Sequence, residues 1–158
     1  MSKPVDYLEM KLPAKAEYVG VLRLTASGVA NRMGFSYEDI EDIKVAISEA
    51  ITNTVKHAYF DEEAGKVRVG FGIYNDRLEI MVADNGESFN FNQVKKDIGP
   101  HDESMPIERM KEGGFGLFLI EALMDQVEIN NQSGVIVLMT KFLNEDEVGR
   151  HDDQISTM

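Results

Sequence analysis

From Val5 to Lys11 the chain alternates loosely between apolar and charged residues, VDYLEMK, and this period of two predicts a first β-strand, with Pro13 marking the turn after it. Between Glu17 and Met33 the period changes. Val19, Leu22, Ala26, Val29, Ala30 and Met33 recur at steps of three and four, which predicts an amphipathic helix ended by Gly34. Ser36 then stands three residues before Asp39, and Glu38 and Asp39 fall in the turn that follows. A side-chain cap and a favourable dipole interaction therefore start a second helix that runs to about Tyr59. Its buried stripe is Ile40, Ile43, Ile47, Ala50, Ile51 and Thr54, which leaves Glu49 and Asn53 near an edge able to line a cavity.

Two strands follow, Lys66 to Tyr74 and Arg77 to Ala83, joined across Asn75-Asp76, a dipeptide that tolerates the positive backbone dihedrals of tight hairpins. Residues 87–112 are polar, poor in aliphatic side chains and broken by Gly99, Pro100 and Pro106, so they read as a long loop of the kind that often serves as a lid. Phe115 to Met124 is a short apolar helix. Gln126 to Asn130 and Val135 to Phe142 form a closing hairpin across Gln132-Ser133-Gly134, and residues 143–158 make a polar tail expected to fray. The expected organisation is one domain over residues 1–142, followed by that tail.

Composition narrows the function classes. With 158 residues the chain is long enough to bury one sizeable core. Sixteen Lys and Arg against 28 Asp and Glu give a net charge of −12, which repels phosphate backbones, argues against direct nucleic-acid binding and favours capture of a basic protein partner. Cysteine is absent, which excludes disulfides, thiolate catalysis and zinc-thiolate sites. The N-terminus MSKPVDYLEMK lacks the apolar stretch of a signal peptide, and no apolar run approaches the roughly 20 residues of a membrane span, so a cytoplasmic location and no membrane contact are expected.

Three polar or glycine-rich sites punctuate the chain in order and together suggest a nucleotide pocket. Glu49, Asn53 and His57 stand at i, i+4 and i+8 of the second helix, on one face. A carboxylate at Glu49 suits proton removal from a hydroxyl nucleophile, although a helix glutamate seen alone is most often a solvated surface residue. The carboxamide oxygen of Asn53 is a hard neutral donor suited to Mg²⁺ and substrate phosphates; the plain alternative is an exposed polar side chain. His57 reads more simply as a hydrogen-bonded helix-end histidine than as a catalytic group. Asp84-Asn85-Gly86 follows the apolar run LEIMVA, so the Asp84 carboxylate emerges at a strand end where it can accept the exocyclic amine of a purine. Gly86 lets backbone approach a flat base, and the same pair is also an ordinary turn. Gly113, Gly114 and Gly116 precede the short apolar helix, where unpaired N–H groups and the positive dipole end suit phosphate. No Lys-Ser or Lys-Thr follows these glycines, so the cluster is not a Walker loop, nor does it form a dinucleotide fingerprint.

In order and spacing these three sites resemble the N, G1 and G2 boxes of the GHKL, or Bergerat-fold, ATPase superfamily, and Val5 to Phe142 is similar to its stand-alone bacterial anti-sigma factor kinases. The resemblance implies an α/β (α+β) sandwich, with helices packed on one face of a mixed, mostly antiparallel sheet, and ATP or ADP with Mg²⁺ as ligands. It implies Glu49 as general base, Asn53 as the Mg²⁺ ligand, Asp84 as the adenine reader, Gly86 as its close backbone neighbour, and Gly113, Gly114 and Gly116 at the phosphates. Arg109 and Lys111 are either partners of the γ-phosphate or solvated. The implied reaction is phosphorylation of a serine on an anti-anti-sigma protein by a homodimer that also sequesters an alternative sigma factor of the sigma-B type. Two other readings stay open: a non-catalytic ATP-dependent binding module, and a histidine-kinase catalytic domain. The second needs a phospho-accepting histidine on a separate helix, a context that none of His57, His101 and His151 has.

Overall fold

The computed structural model describes residues 3–58, 65–83, 114–130 and 136–144. Strand β1 (Asp6–Pro13) leads through a 3-10 turn at Ala16–Tyr18 into helices α1 (Val19–Met33) and α2 (Tyr37–Ala58). The hairpin of β2 (Lys66–Ile73) and β3 (Arg77–Ala83) comes next, then α3 (Gly114–Leu123), β4 (Gln126–Asn130) and β5 (Ile136–Phe142). The strands form one sheet in the order β1-β2-β3-β5-β4, and every pairing among the described residues is antiparallel.

Alternation along the strands divides that sheet into two faces. Val69, Phe71, Ile80, Val82 and Met139 point to one face, where they share a core with Leu22 and Met33 of α1, Ile43 and Ile47 of α2 and Ile120 of α3. The helices therefore cover one face of the sheet, the α+β sandwich expected. On the other face Arg68, Glu79 and Thr140 are buried, and Arg77 Nε donates to Glu79 Oε1 at 3.0 Å. Arg68 donates from Nη1 to Glu9, and the Tyr7 hydroxyl donates to Glu9 Oε2 at 3.0 Å. Gly70 makes room for that arrangement, since a Cβ there would meet the Tyr7 hydroxyl at 2.5 Å. Burial, and then the neighbouring Glu79 carboxylate, push the Tyr74 phenol up to about 12.

The joint between the helices follows from two local signals. Gly34 takes φ 91°, in the left-handed region that a side chain disfavours. The Gly34 N–H donates to Asn31 O at 3.1 Å and the Phe35 N–H to Ala30 O at 3.2 Å, the paired bonds of a Schellman end. Phe35 is buried in the core, which fixes the exit direction. Ser36 Oγ then accepts the Asp39 N–H at 3.2 Å, as its spacing predicts, with Glu38 and Asp39 in the first turn of α2.

Four details differ from the sequence expectation. Strand β1 continues through Pro13, because an edge strand pairs on one side only and tolerates a missing N–H; the pairing persists beyond it with Ala14 N–H donating to Gly65 O. A 3-10 turn precedes α1, which starts at Val19 rather than Glu17. The β2–β3 hairpin closes across Asn75-Asp76 with no positive φ at either residue. Tertiary contacts hold it instead: Arg77 Nη1 donates to Asp76 Oδ1 at 2.8 Å, the Arg77 guanidinium lies 3.8 Å from the Tyr74 ring centre, and the Leu143 N–H donates to Asp76 O. Strand β2 ends at Ile73, one residue earlier than expected. The predicted lid at 87–112, the turn at Gln132-Ser133-Gly134, Tyr59 and all of the polar tail except its first two residues lie outside the described residues.

Candidate functional site

At 100° per residue, α2 presents Ile43, Ile47 and Ala50 towards the sheet, all with essentially no exposed surface, while Glu49 and Asn53 fall together on the flank of that stripe. Both are half-buried, in the position that the sequence spacing anticipates for side chains lining a cavity. His57 lies on the last turn of the same helix.

Helix α3 packs beside α2, and three bonds secure its C-terminal end to β5. Lys141 Nζ donates to Leu123 O at 2.6 Å, the Asp125 N–H donates to Thr140 O at 2.9 Å, and the Phe142 N–H donates to Asp125 Oδ2 at 2.7 Å. The same ammonium stands 3.8 Å from Asp39 Oδ1 and 3.7 Å from Asp42 Oδ2, close to the start of α2. The end of α3 therefore meets the beginning of α2, and the two helices run antiparallel. At 1.5 Å per residue, the span from Leu123 back to Gly114 is roughly 14 Å, and the same distance along α2 from Asp42 reaches Ile51, between Glu49 and Asn53.

By helical rise, the start of α3 falls alongside the stretch of α2 that holds Glu49 and Asn53. Gly114 opens α3 and Gly116 lies in its first turn, so both belong to the helix end whose backbone N–H groups lack intrahelical partners and whose dipole favours negative charge. Asp84, Gly86 and Gly113, together with Arg109 and Lys111, lie outside the described residues. Ala83, which leads to Asp84, pairs with Ile136, at the opposite end of β5 from Lys141.

The donor set also bears on a metal. One neutral carboxamide oxygen beside one carboxylate fits Mg²⁺, which needs only one or two protein oxygens when phosphates and water complete its octahedron. Lys141 itself was not among the residues that the sequence singled out. Its signal was a lysine within the apolar run VIVLMTKF, in step with Val137 and Met139 on the inward register, where a charge persists only with partners. Asp125 had no comparable signal, because an aspartate after a helix is an ordinary turn residue.

Residues 12–141 match the family described as the histidine kinase-like ATPase domain, and the chain belongs to that family. Comparison with individual proteins narrows the class. The chain is 65% identical over 152 residues to the serine-protein kinase RsbW of Oceanobacillus iheyensis, an overlap that covers 96% of each protein. It is 57% identical to the protein of the same name in Bacillus velezensis, over 94% of this chain and 92% of that one, and 53% identical to that of Bacillus subtilis, over 98% and 96%. Within the ATPase class the chain is thus a member of the serine-protein kinase RsbW family.

Proposed function

We propose that this protein is an ATP-dependent serine-protein kinase that phosphorylates an anti-anti-sigma antagonist, and that it also sequesters an alternative sigma factor of the sigma-B type. The observation that carries the kinase reading is the half-buried pair Glu49 and Asn53 on α2, level with the glycine-led start of α3. Family membership supports the ATP-binding domain and the serine-kinase activity.

In this reading the Glu49 carboxylate accepts the proton of the substrate serine as its oxygen bonds to the γ-phosphorus, and the bond to the bridging oxygen of ADP breaks. Asn53 holds Mg²⁺ through its carboxamide oxygen, and the metal, when bound, neutralises phosphate charge. The N–H groups at Gly113, Gly114 and Gly116 receive the phosphates, while Asp84 accepts the adenine amine beside Gly86. Residues 87–112, loop-like in composition, serve as the lid of this single ATPase domain, and residues 143–158 form its polar tail.

The net charge of −12 supports the inhibitory role. Sigma factors carry basic surfaces to approach DNA, and an acidic inhibitor, here a cytoplasmic homodimer, gains encounter rate and specificity by covering such a surface. Phosphorylation of the antagonist adds roughly two negative charges at pH 7 and weakens its hold on an acidic kinase, which frees the kinase to recapture sigma. The test is incubation with γ-labelled ATP and a purified anti-anti-sigma protein. Label on serine is expected, whereas label on histidine or no transfer at all overturns the kinase reading.

A further inference from the structure

We propose that Lys141 is a positioning residue for phosphate recognition: it sets the placement of α3 against α2 and so holds the glycine-led start of α3 opposite Glu49 and Asn53. The inference rests on the nucleotide reading given above. It concerns a side chain a full helix length from the phosphates, which acts through α3 and does not itself touch the nucleotide.

The Lys141 side chain occupies an inward position of β5 where an apolar residue of similar length would complete the core, and the residue is only 8% exposed. An ammonium in such a place is maintained by what it joins. Its strong bond goes to the carbonyl of Leu123 at the end of α3, where the negative end of the helix dipole adds to the attraction. Asp39 and Asp42 face it from α2, so one charge links both helices to the sheet. The two flanking bonds of Asp125 secure the chain just beyond α3 but touch nothing on α2. Lys141 therefore ties both helices to the sheet, in addition to their direct apolar packing. A helix is stiff along its axis, so a shift or rotation allowed at Leu123 reaches Gly114 undiminished. Catalytic placement is sensitive to displacements of about 1 Å.

The experiment measures binding of Mg·ATP, Mg·ADP and adenosine to the full chain and to Lys141→Met by calorimetry, with urea unfolding alongside. Lys141→Met is expected to weaken Mg·ATP by about tenfold, in line with the cost of losing a charge-assisted hydrogen bond. Adenosine, which offers no phosphate to the start of α3, is expected to bind both proteins alike. Lys44→Met, which removes another α2-side ammonium by breaking the 3.1 Å pair with Glu41, serves as the control and should change neither ligand. If Lys141→Met does not fold, Asp39→Asn combined with Asp42→Asn carries the test, since these side chains are 24% and 32% exposed and tolerate neutralisation better. The same phosphate-selective loss, of smaller size, is expected there. Equal losses for Mg·ATP and adenosine, or unchanged Mg·ATP affinity in a folded variant, overturn the positioning role. Failure of the unaltered protein to bind Mg·ATP overturns the nucleotide reading itself and this inference with it.

Discussion

Ile47 and Glu49 stand two residues apart on α2 and face different tasks. Ile47 is wholly buried in the core, whereas Glu49 sits half-exposed on the adjoining flank with Asn53 one turn further on. A rotation of about 200° separates the two side chains on the helix, enough to divide stability from chemistry within one element. The stripe can be damaged without altering the reacting groups, and the flank can be altered without opening the core.

The largest expected effect tests the stripe. Ile47→Ala should lower unfolding free energy by about 2–5 kcal/mol in urea titration, with Mg·ATP affinity retained by the fraction that stays folded. A loss below about 1 kcal/mol would show that the stripe is not the centre of the core. On the flank, Glu49→Gln should reduce serine phosphorylation by roughly 10²-fold while its urea midpoint stays with that of the unaltered protein. Full transfer activity in that variant would remove Glu49 from the role of base and leave phosphoryl transfer to positioning and charge neutralisation alone. One turn on, Asn53→Ala should weaken Mg·ATP by about tenfold and lower turnover with it, because a lost metal ligand affects binding and reaction together. Equal ATP affinity with and without Mg²⁺ in the unaltered protein would contradict the metal assignment. The smallest effect lies off both faces. Gly34→Ala should cost about 1 kcal/mol, the strain of a side chain at φ 91°, with no change in ATP affinity beyond that loss. A nucleotide defect there would mean that the helix joint is coupled to the site.

The regular parts of this fold were legible because each obeys a local rule. The steps of three and four in α1, the serine cap of α2 and the glycine end of α1 all appear in the structure as the sequence predicts. The flank position of Glu49 and Asn53 was legible for the same reason, since helical period places them beside the buried stripe. What sequence could not provide was the neighbour. Nothing local relates Gly114 to Glu49, residues far apart in the chain, nor does anything local announce that Lys141 meets Leu123 of α3 and Asp39 and Asp42 of α2. The hairpin at Asn75-Asp76 shows the reverse case. Its residues suggested a left-handed turn, yet contacts from Arg77 and Leu143 hold an ordinary one.

The strand order carries a further consequence, for how the chain reaches this state. Leu12 pairs with Val67 and Ala83 with Ile136, so two of the ladders in the sheet close over long stretches of chain, while β2–β3 and β4–β5 are hairpins between successive strands. Local hairpins form in microseconds, and ladders that close large loops form late because their entropy must be lost first. Gly114 follows both helices and the first hairpin in the order of synthesis, and β5, the last strand among the described residues, enters the sheet beside β3. The sheet is therefore completed among the last steps of folding on the ribosome. A nascent chain halted before Lys141 emerges lacks the β5 residues that bond to Leu123 and Asp125, so the end of α3 is fixed only when the chain is nearly complete.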